Sequence, residues 1–251
     1  MLSWAQRRKL IFTGGAVLLA LLIFGVYGLV VFFDAPDCAN GTKDGDERGT
    51  DCGGSCVRIC RVDTVPPVVH FARTLQITEG VWGAVAYLEN RNAGAGARFV
   101  PYRFKLYDEE NLLLYERRGE AFIPPRKVFA LFEGQMKTGN RIPSRATFEF
   151  LEEPVFVRMA EPDLTLVTKG FSAGPNGSLL EATLTNPTRA PVEGIEATAL
   201  LFSGDGNVIA TSATVVKRLP GGGSTMLAFT WPTELETPSR IEVLYTVPGR
   251  N

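Results

Sequence analysis

Histidine is almost absent from this chain, which has His70 alone among 251 residues. Histidine supplies the base of most catalytic triads and is the commonest metal-binding side chain. No motif with a serine or cysteine nucleophile accompanies His70, so we expect it to be a surface residue of a strand. The sequence therefore predicts a protein that is not an enzyme, with no catalytic residues and no organic cofactor.

An excess of charge of one sign is also absent, since 26 basic residues balance 27 acidic ones and the net charge is −1. Nucleic-acid binding needs a basic patch or stripe, and the basic residues are dispersed apart from Arg7-Arg8-Lys9 and short pairs. The adjacent carboxylates Glu109-Glu110 and Glu152-Glu153 fall in a turn and at a strand end, where we expect solvated charge. We therefore expect no nucleic-acid partner.

Long apolar runs are lacking except near the N-terminus, where residues 10–33 contain no charged side chain. A helix of that length spans about 36 Å, enough to cross a hydrocarbon core of about 30 Å. A cleaved signal peptide is the alternative, but its apolar region is normally about 7–15 residues long and ends in a small-x-small site. The flank Phe32-Phe33-Asp34 offers no such site. The sequence predicts a single-pass signal anchor.

The charges around this segment predict its orientation. Arg7, Arg8 and Lys9 precede it, whereas Asp34 and Asp37 follow it. Basic residues favour the cytoplasmic side of a membrane helix. We expect residues 1–9 to be a cytoplasmic tail, residues 10–33 to cross the plasma membrane and the C-terminal domains to be extracellular.

Cysteine is missing everywhere except between residues 38 and 60, where Cys38, Cys52, Cys56 and Cys60 lie together. Outside the cell such a cluster predicts two disulfides, with three pairings open. A zinc site is the alternative, but zinc needs thiolates and therefore a reducing compartment. A redox site is disfavoured because the spacings are C-x3-C instead of C-x-x-C.

Acidic and amide side chains are interleaved with glycines in the same segment. Calcium takes six to eight oxygen ligands from such side chains, which makes calcium a candidate ligand, although the spacing is not that of an EF-hand loop. The alternative is a solvated acidic turn region. The candidate calcium ligands are Asn40, Asp44, Asp46, Glu47 and Asp51.

The segment resembles a short cysteine and glycine module of secreted and surface-anchored bacterial proteins. The resemblance rests on Cys38-Ala39-Asn40-Gly41 and on the core Asp51-Cys52-Gly53-Gly54-Ser55-Cys56. In that module two residues more commonly separate the last two cysteines, whereas three separate Cys56 from Cys60, so the pairing of Cys60 stays open. The resemblance implies a stapled extracellular spacer over residues 34–63 and does not imply catalysis.

Amphipathic helical patterns are missing beyond residue 63, where short runs alternate apolar and polar residues. Residues 102, 104 and 106 alternate with 103, 105 and 107, which is typical of half-buried strands. Turn signals separate the runs, among them Ile123-Pro124-Pro125, Gly139-Asn140 and Asn176-Gly177,. The sequence predicts an all-β fold.

An internal repeat divides this β region. The matching positions, at an offset of 96, are Asn90 with Asn186, Pro124 with Pro220, and residues 102, 104 and 106 with 198, 200 and 202. Pro143-Ser144-Arg145 recurs as Pro238-Ser239-Arg240, one residue out of that register. We expect two tandem domains, residues 64–160 and 161–251, each the size of an immunoglobulin-like β-sandwich.

Phe104-Lys105-Leu106-Tyr107-Asp108 matches the signature of FxLYD-type immunoglobulin-like domains of bacterial envelope proteins, and residues 66–248 resemble them; the second unit departs from the signature. The resemblance implies fold and location more than activity. We expect a non-enzymatic envelope protein that presents β-domains to a protein or glycan partner outside the cell. The alternative is an accessory single-pass subunit of a secretion or pilus apparatus.

Aromatic residues are dense in the first predicted domain. The residues that exceed what one face can bury are Phe99, Tyr102, Phe129 and Phe132. We expect them to pack inside that domain, and the alternative is an interdomain or partner surface.

Overall fold

The computed structural model describes residues 3–32 and 37–248. One helix, α1 (Trp4–Phe32), is followed by a small disulfide-bonded segment, a 3₁₀ turn at Arg61–Asp63 and a long β region. The all-β prediction is confirmed. The chain divides into two compact units, residues 1–60 and 61–251.

The helix begins six residues before the predicted segment because Ser3 caps it. The Ser3 N–H donates to Gln6 Oε1 at 3.0 Å, and the Gln6 N–H donates to Ser3 Oγ at 3.4 Å, the reciprocal pattern of a capping box. Arg7, Arg8 and Lys9 therefore lie within the first turns of α1. By length and composition the helix can cross a membrane. The predicted end, Phe33, lies outside the described residues.

The β region begins at Val68. Its strands are β1 (Val68–Thr78), β2 (Val81–Asn90), β3 (Ala95–Tyr107), β4 (Leu113–Ile123), β5 (Lys127–Lys137), β6 (Arg145–Phe150), β7 (Val157–Arg158), β8 (Thr165–Gly174), β9 (Gly177–Thr185), β10 (Val192–Phe202), β11 (Val208–Leu219), β12 (Ser224–Trp231) and β13 (Arg240–Thr246). Of the turn signals noted in the sequence, Pro124-Pro125 and Gly139-Asn140 lie between strands, and Asn176-Gly177 lies at the β8–β9 turn with Gly177 as the first residue of β9.

The strands form four antiparallel sheets with one pattern used twice. Sheet A has the order β1-β2-β5, and sheet B has the order β4-β3-β6 with β7 beside β3. Sheet C has the order β8-β9-β12, and sheet D has the order β11-β10-β13. The first half of the region (β1–β7) and the second half (β8–β13) therefore share one strand order.

Two buried asparagines hold equivalent turns in the two halves. Asn90 is 1% exposed, and its Nδ2 donates to the carbonyls of Ala95 and Pro124, both at 2.7 Å. Asn186 is 0% exposed, and its Nδ2 donates to the carbonyls of Ala190 at 2.8 Å and Pro220 at 3.2 Å. The residues matched at an offset of 96 thus make the same contact in each half. Asn90 bonds to Pro124 in the first half, and Asn186 bonds to Pro220 in the second half.

The register of the matched central strands differs by one residue from the sequence alignment. In β3 Tyr102 lies opposite Phe150, and in β10 Ala197 lies opposite Tyr245, so the offset here is 95. The inward residues of β10 are Ala197, Ala199 and Leu201. The alignment of residues 198, 200 and 202 with 102, 104 and 106 was wrong, because the connection from Asn90 to Ala95 is one residue longer than the equivalent connection from Asn186 to Ala190.

The two halves pack against each other through a shared apolar core. Leu200, Phe202 and Val208 of sheet D contact Leu75, Val85 and Ala130 of sheet A. The equivalent outward face of sheet B carries charges instead, with Arg103 3.5 Å from Glu116 and 2.6 Å from Glu149. The two halves thus share a strand order but differ in the outward faces of sheets B and D. The apolar outward face, that of sheet D, is covered by sheet A.

Polar contacts complete the junction between the halves. Tyr87 Oη donates to Glu242 Oε1 at 2.8 Å, and burial together with this carboxylate raises the pKa of Tyr87 to about 12. Lys127 Nζ lies 2.9 Å from Glu161 Oε2 and 3.3 Å from the ring centre of Tyr245. Burial lowers the pKa of Lys127 despite the adjacent Glu161 carboxylate.

Candidate functional site

The four cysteines form two interlocked disulfides. Cys38 pairs with Cys56 and Cys52 pairs with Cys60, which selects one of the three pairings that the sequence left open. The prediction of two disulfides is confirmed. Because the sulfurs are bonded in pairs, the segment offers no thiolate to zinc.

Glycine is required at the centre of this segment. Gly53 and Gly54 have φ angles of 76° and 56°, in the left-handed region that favours glycine. A Cβ at Gly54 would lie 2.2 Å from the carbonyl oxygen of Asp46. The Asp-Cys-Gly-Gly core is therefore set by backbone geometry and close packing.

The five candidate calcium ligands bond mainly to the segment itself. Glu47 is buried, and its Oε2 accepts the N–H of Asp51 at 3.1 Å. Asp51 accepts the N–H of Gly41 at 3.0 Å, and Asp44 Oδ2 accepts from Asn40 Nδ2 at 2.5 Å. Asp46 Oδ1 accepts from the hydroxyl of Ser55 at 2.9 Å.

Calcium binding stays a prediction. Among the described residues, one group of three side chains has its possible metal-ligand atoms within 4.8 Å of one another. It consists of Cys38, Glu47 and Cys56. Both of its sulfurs belong to one disulfide, so this group offers one carboxylate. The acidic side chains act here as acceptors for backbone N–H groups and for the side chains of Asn40 and Ser55.

His70 lies on the exposed surface of β1, as the sequence predicts. Its Nε2 lies 3.1 Å from Glu89 Oε2, and its ring packs edge-on against Tyr87. The hydrogen bond from Arg91, more than that from His70, keeps the pKa of Glu89 below its usual range.

A cleft of about 460 Å³ opens where the two halves meet. Its first wall comes from β3, β4 and β5, and its second wall comes from β10 and β11. Strands β4 and β11 are edge strands of sheets B and D. Charged and exposed apolar residues both line it, among them Arg98, Phe99, Glu120, Phe132, Glu196 and Val215.

The cleft combines exposed apolar side chains with unpaired polar ones. Phe99 and Val215 are 57% and 63% exposed. Within the described part of the chain, Glu120, Glu196 and Thr198 make no side-chain hydrogen bond or ion pair. Burial raises the pKa of Glu196.

A polar cluster lies at the rim of the cleft. Tyr102 Oη donates to Glu133 Oε1 at 2.7 Å, and Arg117 Nε lies 3.9 Å from Glu133 Oε2. Burial, the hydrogen bond to Glu133 and the charges of Glu133 and Glu196 raise the pKa of Tyr102. Gly119 leaves room for this pair, since a Cβ there would lie 2.5 Å from the Tyr102 hydroxyl.

The expectation that the four dense aromatic residues pack inside the first domain is wrong for Phe99, which is 57% exposed in the cleft, and sequence reasoning did not single out the acidic residues there. Phe99, Tyr102 and Phe132 line the cleft, whereas Phe129 is fully buried inside the first half. Glu120 and Glu196 carry no local motif that would have marked them. They are brought to one cleft by the packing of the two halves, which the sequence pattern did not predict.

Comparison with known proteins leaves the chain without a family. The sequence matches no protein-family model, and no curated protein matches it. Among solved structures, red sea bream transglutaminase is similar over 71% of this chain and 29% of that protein, with 11% identity and a TM-score of 0.23. The chain thus corresponds to under a third of that enzyme's length.

Proposed function

We propose that this chain is a non-enzymatic, membrane-anchored envelope protein that presents two immunoglobulin-like β-sandwiches in tandem for binding or assembly. The observation that carries the proposal is the order of α1 and the disulfide-bonded segment along the chain. A helix that is apolar on all sides belongs in a membrane, and disulfides form in oxidising compartments. A chain that crosses the membrane outward satisfies both conditions.

The proposed orientation places the N-terminus in the cytoplasm. Arg7, Arg8 and Lys9 lie in the first turns of α1 and are exposed. The positive-inside rule then directs residues 37–248 to the extracellular side of the plasma membrane. The interlocked disulfides act as a stiff spacer between the anchor and the β region.

The orientation is tested by protease protection on intact spheroplasts, with an epitope tag at each end of the full chain. We expect the C-terminal tag to be cleaved and the N-terminal tag to be protected until detergent is added. Mass spectrometry of the non-reduced chain should count no free thiol. A protected C-terminal tag with four free thiols would contradict the proposal.

The anchor itself separates binding from assembly within a membrane machine. Replacing residues 1–33 with an unrelated single-pass anchor of the same orientation should leave a binding protein functional, because its partner contacts the β region. A chain that loses its envelope partners on this exchange acts instead as an accessory subunit of a secretion or pilus apparatus. The control exchanges the anchor and then restores residues 1–33.

A further inference from the structure

The lining of the cleft between the two halves carries two carboxylates and one guanidinium, so its charge is negative by one. Glu120 of β4 and Glu196 of β10 reach it from opposite walls, and neither bonds to another described residue. Arg98 is the basic residue of the lining, and its Nη1 donates to the carbonyl of Pro248 at 2.7 Å. Two carboxylates are therefore available to a cationic group from outside.

Thr198 adds an unused hydroxyl at the floor of the cleft. The residue is 8% exposed, and its side chain makes no hydrogen bond within the described ranges 3–32 and 37–248. Thr198 lies two residues from Glu196 on the same face of β10,. Its oxygen is reached by solvent from the cleft, so it can donate to or accept from a ligand there.

The backbone of β3 is distorted in a way that presents an aromatic ring to the same cleft. Phe99 has a φ of 52° within the irregularity between Ala97 and Val100. Bulges of this kind re-aim side chains next to functional sites, and a positive φ is unfavourable for a bulky residue. Phe132 on the same wall and Val215 on the opposite wall add apolar surface to the cleft that the two carboxylates line.

We propose that this cleft binds a lysine or arginine side chain carried by an extended segment of a partner protein. The aliphatic stem packs on Phe99, Phe132 and Val215, and the cationic end bonds to Glu120, Glu196 and Thr198. The flanking edge strands β4 and β11 have unpaired backbone groups that an extended chain can use,. This inference rests on the proposed binding function and names its site.

The test uses the full chain in lipid nanodiscs and a positional-scanning library of capped hexapeptides, read by fluorescence anisotropy. We expect one position of the library to select lysine or arginine. Loss of one charge-assisted hydrogen bond costs about tenfold in affinity, so Glu120→Gln and Glu196→Gln should each weaken the best peptide by about that factor. Thr198→Val should weaken it a few-fold.

The matched control is Glu181→Gln, which removes the same charge from β9, a strand of sheet C that contributes no residue to the lining of the cleft. Its peptide affinity should equal that of the parent chain. Unfolding curves of all variants show whether the fold is retained.

Three outcomes would overturn the inference. They are a library without selection for lysine or arginine, a selection that persists in the double variant Glu120→Gln/Glu196→Gln, and equal competition by n-butylammonium or arginine methyl ester. The last would make the ligand a small cation instead of a peptide. Failure here in a chain of the expected orientation would leave the proposed anchoring intact, because the protease test is independent of the cleft.

Discussion

At the scale of single residues, the two buried asparagines of the β region each bond to several backbone groups. Asn186 donates to two turns at once, and its Oδ1 accepts the N–H of Thr188 at 3.0 Å. Asn90 makes the same set of contacts in the first half. Each asparagine therefore satisfies backbone groups that would otherwise be buried without partners.

Replacing Asn186 with alanine should lower the free energy of unfolding by about 2 kcal/mol, because buried carbonyls and an N–H lose their partner. Asn90→Ala should cost a similar amount. Urea unfolding of the parent and both variants measures this. The exposed turn residue Asn140 provides the control, since Asn140→Ala should change stability little,. Equal effects at Asn140 and Asn186 would contradict the structural role.

The raised pKa of Glu196 predicts that the stability of the fold depends on pH with the opposite sign from that expected for a salt-bridged carboxylate. Glu196 is exposed by surface area, but the packing around its carboxylate still desolvates it and raises its pKa in the folded chain. Folding therefore favours the protonated form to a small extent, and stability falls as the pH rises from the pKa of the unfolded chain through the higher pKa of the folded chain. Glu196→Gln should therefore be more stable than the parent at pH 7, with a smaller difference at pH 4. Urea unfolding at the two pH values measures this.

Glu181→Gln is again the matched control for charge, on the outward face of β9. A stabilisation by Glu196→Gln that is equal at both pH values, or equal to that of Glu181→Gln, would show that burial of the carboxylate is not the cause.

At the scale of elements, the disulfide-bonded segment is ordered by cross-links and backbone hydrogen bonds. Its disulfides span sequence separations of 18 and 8. Loop closure of this size stabilises a fold by about 3 kcal/mol per bridge in the chain-entropy model. Glu47 adds acceptors for backbone N–H groups.

Reduction should therefore remove the order of residues 38–60 without moving the unfolding midpoint of residues 61–248. Amide hydrogen exchange read by mass spectrometry measures both parts in one experiment. With reducing agent we expect fast exchange throughout the segment and unchanged protection in β2 and β10. The variant Cys38→Ser/Cys56→Ser, which keeps the second bridge, should show an intermediate loss. Protection that survives complete reduction would contradict this account.

Strand positions and turns followed from the sequence, but the register and the packing of sheets did not. Alternation along residues 102–106 reports burial on one face,. The connection from Asn90 to Ala95 is one residue longer than the connection from Asn186 to Ala190, and no motif in the sequence marks this difference, so the alignment of β3 with β10 was displaced by one residue. The alternation of apolar residues in β10 predicts that Leu200 and Phe202 face the interior of the second half. They face the first half instead, because residues of an apolar interface alternate in the same way as residues of a domain interior.

At the scale of the whole β region, the shared core of sheets A and D should make the two halves unfold together. Leu200 and Phe202 face the first half, whereas Leu201, between them, faces the core of the second half. Neighbouring residues of one strand thus test two different contacts. Trp82 in β2 and Trp231 in β12 give one fluorescent reporter in each half.

We expect single-reporter chains, with Trp4 and one other tryptophan replaced by phenylalanine, to show coincident urea midpoints, as a two-state transition requires. Leu200→Ala/Phe202→Ala removes the contacts across the junction, so the two midpoints should separate. Leu201→Ala creates a cavity in the second half at a cost of about 2–5 kcal/mol but leaves the junction intact, so both midpoints should fall together. Coincident midpoints in the double variant would mean that the linker and the polar contacts of Lys127 and Tyr87, more than the apolar core, couple the halves. The cleft that these halves form would then keep its shape without Leu200 and Phe202.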